Sequence, residues 1–201
     1  MKKCVVYIHG KDGSAAEAEH YKTLFAGCDV VGFDYQAQTP WEAKAEFMNF
    51  FAELAAKYEQ ISVVANSIGA FFAMHALSDF KFFRAYFISP IVNLEHLIKN
   101  MLNWANVTET ELRQKGTIAT EFGETLSWEY LSWVRAHPLN WNTSTHILYS
   151  NNDNLQSLDD INNFAAKVNA DITIMSGGEH WFHTPEQMSS LDNWITEKER
   201  S

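Results

Sequence analysis

The sequence predicts an α/β fold: a doubly wound, mostly parallel six-stranded sheet with helices on both faces and a helical cap insertion. Three observations carry this expectation. Short apolar runs alternate with stretches of helical spacing from one end of the chain to the other. The runs are continuously apolar rather than alternating, as strands covered on both faces should be. The rhythm breaks once, over residues 91–142, which stay helical in tendency and rich in tryptophan.

CVVYI (4–8) ends at His9-Gly10 and reads as a buried strand. Residues 14–25 show helical spacing, with Ser14 as cap and Ala15, Ala18, Tyr21, Leu24 and Phe25 on one side. DVVGF (29–33) is a second strand. Pro40 suits the first turn of a helix whose stripe continues through Phe47, Phe50, Phe51, Leu54 and Tyr58. ISVVA (61–65) is a third strand, followed by a helix over 68–78. RAYFIS (84–89), stopped by Pro90, is a fourth. Residues 91–142 offer no convincing strand. HILYS (146–150) resumes as a fifth strand with a helix near 157–168, and DITIM (171–175) is a sixth with a last helix near 185–198. No repeat, low-complexity tract or linker marks a second domain. Residues 1–201 are therefore expected to form a single domain, with 91–142 inserted in it.

The totals agree with a globular chain. It has 201 residues and is 46% hydrophobic, enough for one sizeable core and against global disorder. The net charge of −10 is repelled by phosphate backbones and anionic bilayers, so neither nucleic acid nor a membrane is an expected partner. Cys4 and Cys28 sit beside apolar runs and read as reduced core residues rather than a disulfide framework. The apolar run after Lys2-Lys3 is interrupted by His9 and is too short for a secretory leader. No uninterrupted apolar stretch approaches about 18 residues, so no spanning helix is expected and the cytoplasm is the default compartment.

In parallel sheets of this kind the ligand lies outside the carboxyl ends of the strands. His9-Gly10, Asp34, Ser67, Ser89, Asp153 and His180 all fall at such ends. Ser67 stands between a buried strand and an apolar helix. It is either a helix cap or a hydroxyl presented by a tight reversal, which would demand small neighbours two residues to each side. Those neighbours are Ala65 and Gly69.

The stretch A-N-S-I-G (65–69) resembles the nucleophile elbow G-x-S-x-G of the α/β-hydrolase family, with alanine for the first glycine. The family order is serine, then an acid after a later strand, then histidine after the last strand. Asp153 in SNNDN and His180 in GGEHWF stand in that order here. The resemblance covers nearly the whole chain, the first strand matching the family's third, so it implies a minimal version of the fold. It implies Ser67 as nucleophile, His180 as base and Asp153 as the residue orienting the imidazole. It also implies oxyanion donors at the backbone N–H of Ile68 and, from the His-Gly after the first strand, that of Lys11.

Several neighbours compete for these roles. His183 is a rival base, but it lies nearer Pro185 and reads as a cap or rim residue. Asp159 and Asp160 fall on a helix and suit its N-terminal dipole. Asp34 suits a turn, His9 a scaffold, and His75 packing. Glu179, His180 and His183 lack the helical spacing of H-E-x-x-H, so no metal is expected. GKDGS (10–14) lacks phosphate-loop spacing, and no G-x-G-x-x-G follows a strand, so no nucleotide cofactor is expected. The aromatic insertion is either a self-contained helical unit or a lid, and the family commonly places its cap after this strand. Trp128, Trp133 and Trp181 are the expected walls of an apolar substrate pocket. The implied function is hydrolysis of a small-molecule ester, thioester or amide through an acyl-enzyme. A short-peptide peptidase is the nearest variant, and a non-catalytic binding module of the same fold is the alternative from another class.

Overall fold

The computed structural model describes residues 1–200. It divides into two compact units, 1–92 with 140–200 and, separately, Asn93–Leu139.

The larger unit is the α/β core. Its strands are β1 (Lys3–Ile8), β2 (Asp29–Phe33), β3 (Gln60–Asn66), β4 (Ala85–Ile88), β7 (Thr145–Ser150) and β8 (Asp171–Met175). They form one sheet in the order β2-β1-β3-β4-β7-β8. Every pairing is parallel, with Ile8 opposite Phe33 and Ala65, Ala65 opposite Phe87, and Tyr149 opposite Ile174. The carboxyl ends of all six strands therefore share one rim.

Alternation along β1 sends Val5 and Tyr7 to one face and Cys4, Val6 and Ile8 to the other. The first face packs with Ala18 and Tyr21 of α1 (Ala18–Tyr21) and Leu191, Trp194 and Ile195 of α8 (Pro185–Arg200). The second carries α2 (Pro40–Ala55) and α3 (Ile68–Ala76). Aromatic rings fill that side: Phe33 meets Phe47 at 4.8 Å, and Phe51 meets Phe80 at 5.3 Å. The start of α2 follows from its sequence, because Thr39 accepts from the Glu42 amide and Pro40 opens the first turn. Helix α3 is buried along nearly all its length, from Gly69 to Ala76 with only His75 partly open. Helix α7 (Leu158–Val168) starts on the Ser157–Asp160 capping box.

One expected helix is different in the structure. Residues 14–25 form a 3-10 turn at Ala15–Glu17 and the single α-turn α1, then further turns. The bonds from Lys22 to Glu19 and from Leu24 to Tyr21 span only three residues. The segment is pressed flat on β2, where a Cβ on Gly32 would lie 2.0 Å from the Ala15 carbonyl oxygen. That contact fixes its path more strongly than its helical periodicity does.

The smaller unit contains α4 (Leu94–Trp104), α5 (Glu109–Lys115), β5 (Thr117–Ala119), β6 (Thr125–Ser127) and α6 (Trp128–Ala136). Its antiparallel hairpin corrects the expectation that this segment holds no strand. Each strand has three residues and one central apolar side chain, Ile118 opposite Leu126, too short a pattern to show a period of two. Thr120 and Gly123, the latter at φ 87°, close the turn. Arg135 on α6 bonds Glu95 on α4 and both oxygens of Glu109 on α5. No helix among the described residues is long and apolar enough to cross a membrane.

Candidate active site

Ser67 links β3 to α3 at φ 52° and ψ −122°, a conformation that L-residues rarely adopt. Its backbone is held from both sides. The Ser67 amide donates to the Ile88 carbonyl at 3.0 Å, and its own carbonyl accepts from Ala70 and Ile91, each at 3.1 Å. The tight reversal is possible because its neighbours are small. A Cβ on Gly69 would lie 2.2 Å from the His9 carbonyl oxygen, so that position admits only glycine. Ala65 is fully buried in the sheet, and its methyl is accommodated there.

The reversal points the hydroxyl at a histidine from the far end of the chain. Ser67 Oγ lies 2.8 Å from His180 Nε2, and His180 Nδ1 lies 2.7 Å from Asp153 Oδ2. The Asp153 side chain is completely buried. Its other oxygen, Oδ1, accepts from the amides of Leu155 at 2.8 Å and Gln156 at 3.0 Å. A buried carboxylate with three donors can only accept, so Nδ1 carries the imidazole proton and Nε2 is left to accept from Ser67.

The loops carrying Asp153 and His180 are tied together. The Asn151 side chain accepts from the Gly177 amide at 2.7 Å, and the Asn152 amide donates to the Gly178 carbonyl at 3.1 Å. Gly178 packs so closely that a Cβ would stand 2.5 Å from Ser150 Oγ.

The loop after β1 runs beside the serine: a Cβ on Gly10 would lie 3.2 Å from Ser67 Cβ. Lys11 follows directly. Ile68 is the first residue of α3, so its N–H has no acceptor inside the helix. Buried His9 stacks on Tyr35 at 4.2 Å, and its carbonyl accepts from the Tyr35 hydroxyl at 2.8 Å, which makes it a scaffold for this loop.

The rivals lie elsewhere. His183 is exposed, donates Nδ1–H to the Trp181 carbonyl at 2.8 Å, and stacks on the Trp181 ring at 4.3 Å. Its amide donates to Gln187 at the start of α8. Asp160 completes the capping box of α7, its carboxylate accepting from the Ser157 amide and hydroxyl, and Asp34 is exposed. Among the described residues no group of three or more His, Cys, Asp or Glu side chains is placed to hold a metal ion. Trp181 is 66% exposed beside His180. Trp128 lies under the Arg113 guanidinium at 5.5 Å, and Trp133 stacks on His137 at 4.2 Å, both contacts within the smaller unit. The links between Asn151, Asn152 and the His180 loop were not legible in sequence, since no local pattern announces a bond between residues 26 positions apart.

No protein-family model matches the chain, and no curated protein matches it. Solved structures do. Est1E from Butyrivibrio proteoclasticus superposes with a TM-score of 0.77 at 13% identity, over 99% of this chain and 87% of that one. Alpha/beta hydrolase domain-containing protein 10 from mouse gives 0.76 at 15%, over 98% of this chain and 89% of that one. The Pyrococcus furiosus esterase Pf2001 gives 0.64 at 18%, over 99% and 81%. The chain thus has the α/β-hydrolase fold, and at these identities the likeness speaks for the fold alone.

Proposed function

We propose that the chain is a serine hydrolase acting on a small carboxylic ester. The observation that carries this reading is the continuous hydrogen-bonded line Ser67–His180–Asp153, headed by a serine at positive φ. Ser67 Oγ attacks the ester carbonyl while His180 Nε2 takes its proton. Asp153 keeps the imidazole in the required tautomer and stabilises the imidazolium. The amides of Lys11 and Ile68 receive the developing oxyanion. The imidazolium then protonates the departing alkoxide, and the same base activates water to release the acid from Ser67.

Esters are favoured over amides because their leaving group needs the least assistance. Thioesters and short peptides are the nearest alternatives. A cytoplasmic location belongs to the same proposal and rests on two unpaired thiols, Cys4 and Cys28. The test is a fluorophosphonate probe together with p-nitrophenyl esters of increasing acyl length and aminoacyl anilides. Labelling and turnover lost in Ser67→Ala support the hydrolase. Folded wild-type protein that neither labels nor turns over would favour a binding module. The exposed pair Trp104 and Phe122, 6.1 Å apart in the smaller unit, is the feature that such a reading would use.

A further inference from the structure

Tyr7 lies in β1 at 1% exposure, with its ring stacked on Tyr21 at 4.9 Å. Its surroundings are otherwise apolar, including Val5, Ala18, Phe25 and Val64. A phenylalanine would pack there as well, and a buried hydroxyl is costly unless it is bonded. This hydroxyl is bonded: it donates to Glu17 Oε2. Burial, then the neighbouring Tyr21 and Glu17, hold the phenol far above its usual range, so it keeps its proton and remains a donor.

This bond bears on the site through Glu17, whose second oxygen accepts from the Ser14 amide at 2.8 Å, at the far end of the loop that leaves β1. Within that loop, Gly13 donates to the Gly10 carbonyl at 3.2 Å, and Asp12 turns the backbone at φ 58°. A Cβ on Gly13 would lie 2.8 Å from Glu17 Oε1 and 3.0 Å from His9 Cβ, so the loop packs closely against both. Residues 10–14 have no sheet ladder to fix them, yet an oxyanion donor works only when it is already in place as the charge develops.

We propose that Tyr7 and Glu17 are positioning residues that lock the oxyanion loop, and with it the Lys11 amide, in register with Ser67. The proposal rests on the serine-hydrolase reading above. It explains why a carboxylate outside the triad reaches back to a strand tyrosine.

The test compares Tyr7→Phe, Glu17→Gln and the double variant with wild type. Measured are p-nitrophenyl acetate kinetics, affinity for phenylboronic acid (whose serine adduct carries a tetrahedral oxyanion) and thermal midpoint. Each single variant is expected to lose about ten-fold in kcat, a fraction of the loss on deleting a donor outright. KM should stay within about two-fold, with boronate affinity falling alongside kcat. The double variant should be little worse than either single one, because links of one chain are not additive. Tyr21→Phe, which removes the neighbouring hydroxyl outside the chain, should leave kcat unchanged. Folded variants with wild-type kcat, or a Tyr21→Phe loss equal to that of Tyr7→Phe, overturn the proposal. Glu17 is exposed, so Glu17→Gln decides the matter even if Tyr7→Phe fails to fold. Wild type inactive toward both ester and fluorophosphonate would instead remove the hydrolase reading itself.

Discussion

Replacing Asp153 with asparagine tests the tautomer argument directly. Asp153 Oδ1 accepts from two backbone amides, and Oδ2 accepts from His180 Nδ1. Asparagine has one oxygen to offer. If its amide group faced Leu155 and Gln156, donors would meet donors in a fully buried position. The oxygen therefore stays with the two backbone amides, and the amide group turns to His180. It can only donate, so Nδ1 must give up its proton and Nε2 must carry it. Nε2–H then faces Ser67 Oγ and is unable to receive the hydroxyl proton. The same exchange in serine-protease triads lowers kcat by about 10⁴, equivalent to roughly 5 kcal/mol of barrier. Asp153→Asn should therefore lose about 10⁴ in kcat toward p-nitrophenyl acetate, with KM nearly unchanged. Circular dichroism should show a folded protein, since both backbone amides keep their acceptor. Activity within about ten-fold of wild type would refute the reasoning, because the imidazole would then be oriented by something other than Asp153.

Four further outcomes follow from particular contacts. Ser67→Gly should abolish turnover yet raise stability by about 1 kcal/mol in urea titration, since glycine relieves the positive-φ strain. Gly69→Ala should fail to fold or lose activity, as its Cβ would collide with the His9 carbonyl at 2.2 Å; Ala65→Gly should keep kcat and cost about 1–2 kcal/mol. At Asp171, burial would raise the carboxyl pKa, but hydrogen bonds from Lys198 and His146 outweigh it and hold the pKa below its usual value. Its stabilising contribution is present above the unfolded value near 3.9 and is lost as pH falls through the lower folded value, so Asp171→Asn should flatten the acid limb of a melting-midpoint profile below about pH 4.

The strands were legible because each is a short apolar run bounded by turn residues, and their ends were legible because His9-Gly10 and Asn66-Ser67 interrupt those runs with polar or small residues. The order Ser67, Asp153, His180 could be read in the same way, and the structure brings these three side chains together. What stayed hidden was set by contacts remote in sequence. The path of 14–25 depends on Gly32, which gives no helical signal, and the Thr117–Ser127 hairpin is too short for its period to register. Tyr7 read as one more apolar strand residue, because nothing in CVVYI reveals that its hydroxyl meets Glu17.

The bonds from Asn151 to Gly177 and from Asn152 to Gly178 have a dynamic consequence. They couple the two loops after β7 and β8, while Ser67 is fastened separately to the strand and loop around Ile88 and Ile91. Thermal excursions at this rim therefore carry imidazole and carboxylate along as one body, and the weakest joint is the alcohol–imidazole gap. Relaxation measurements on the His180 ring should report slow exchange that Asp153 backbone signals share and those of Ser67 do not.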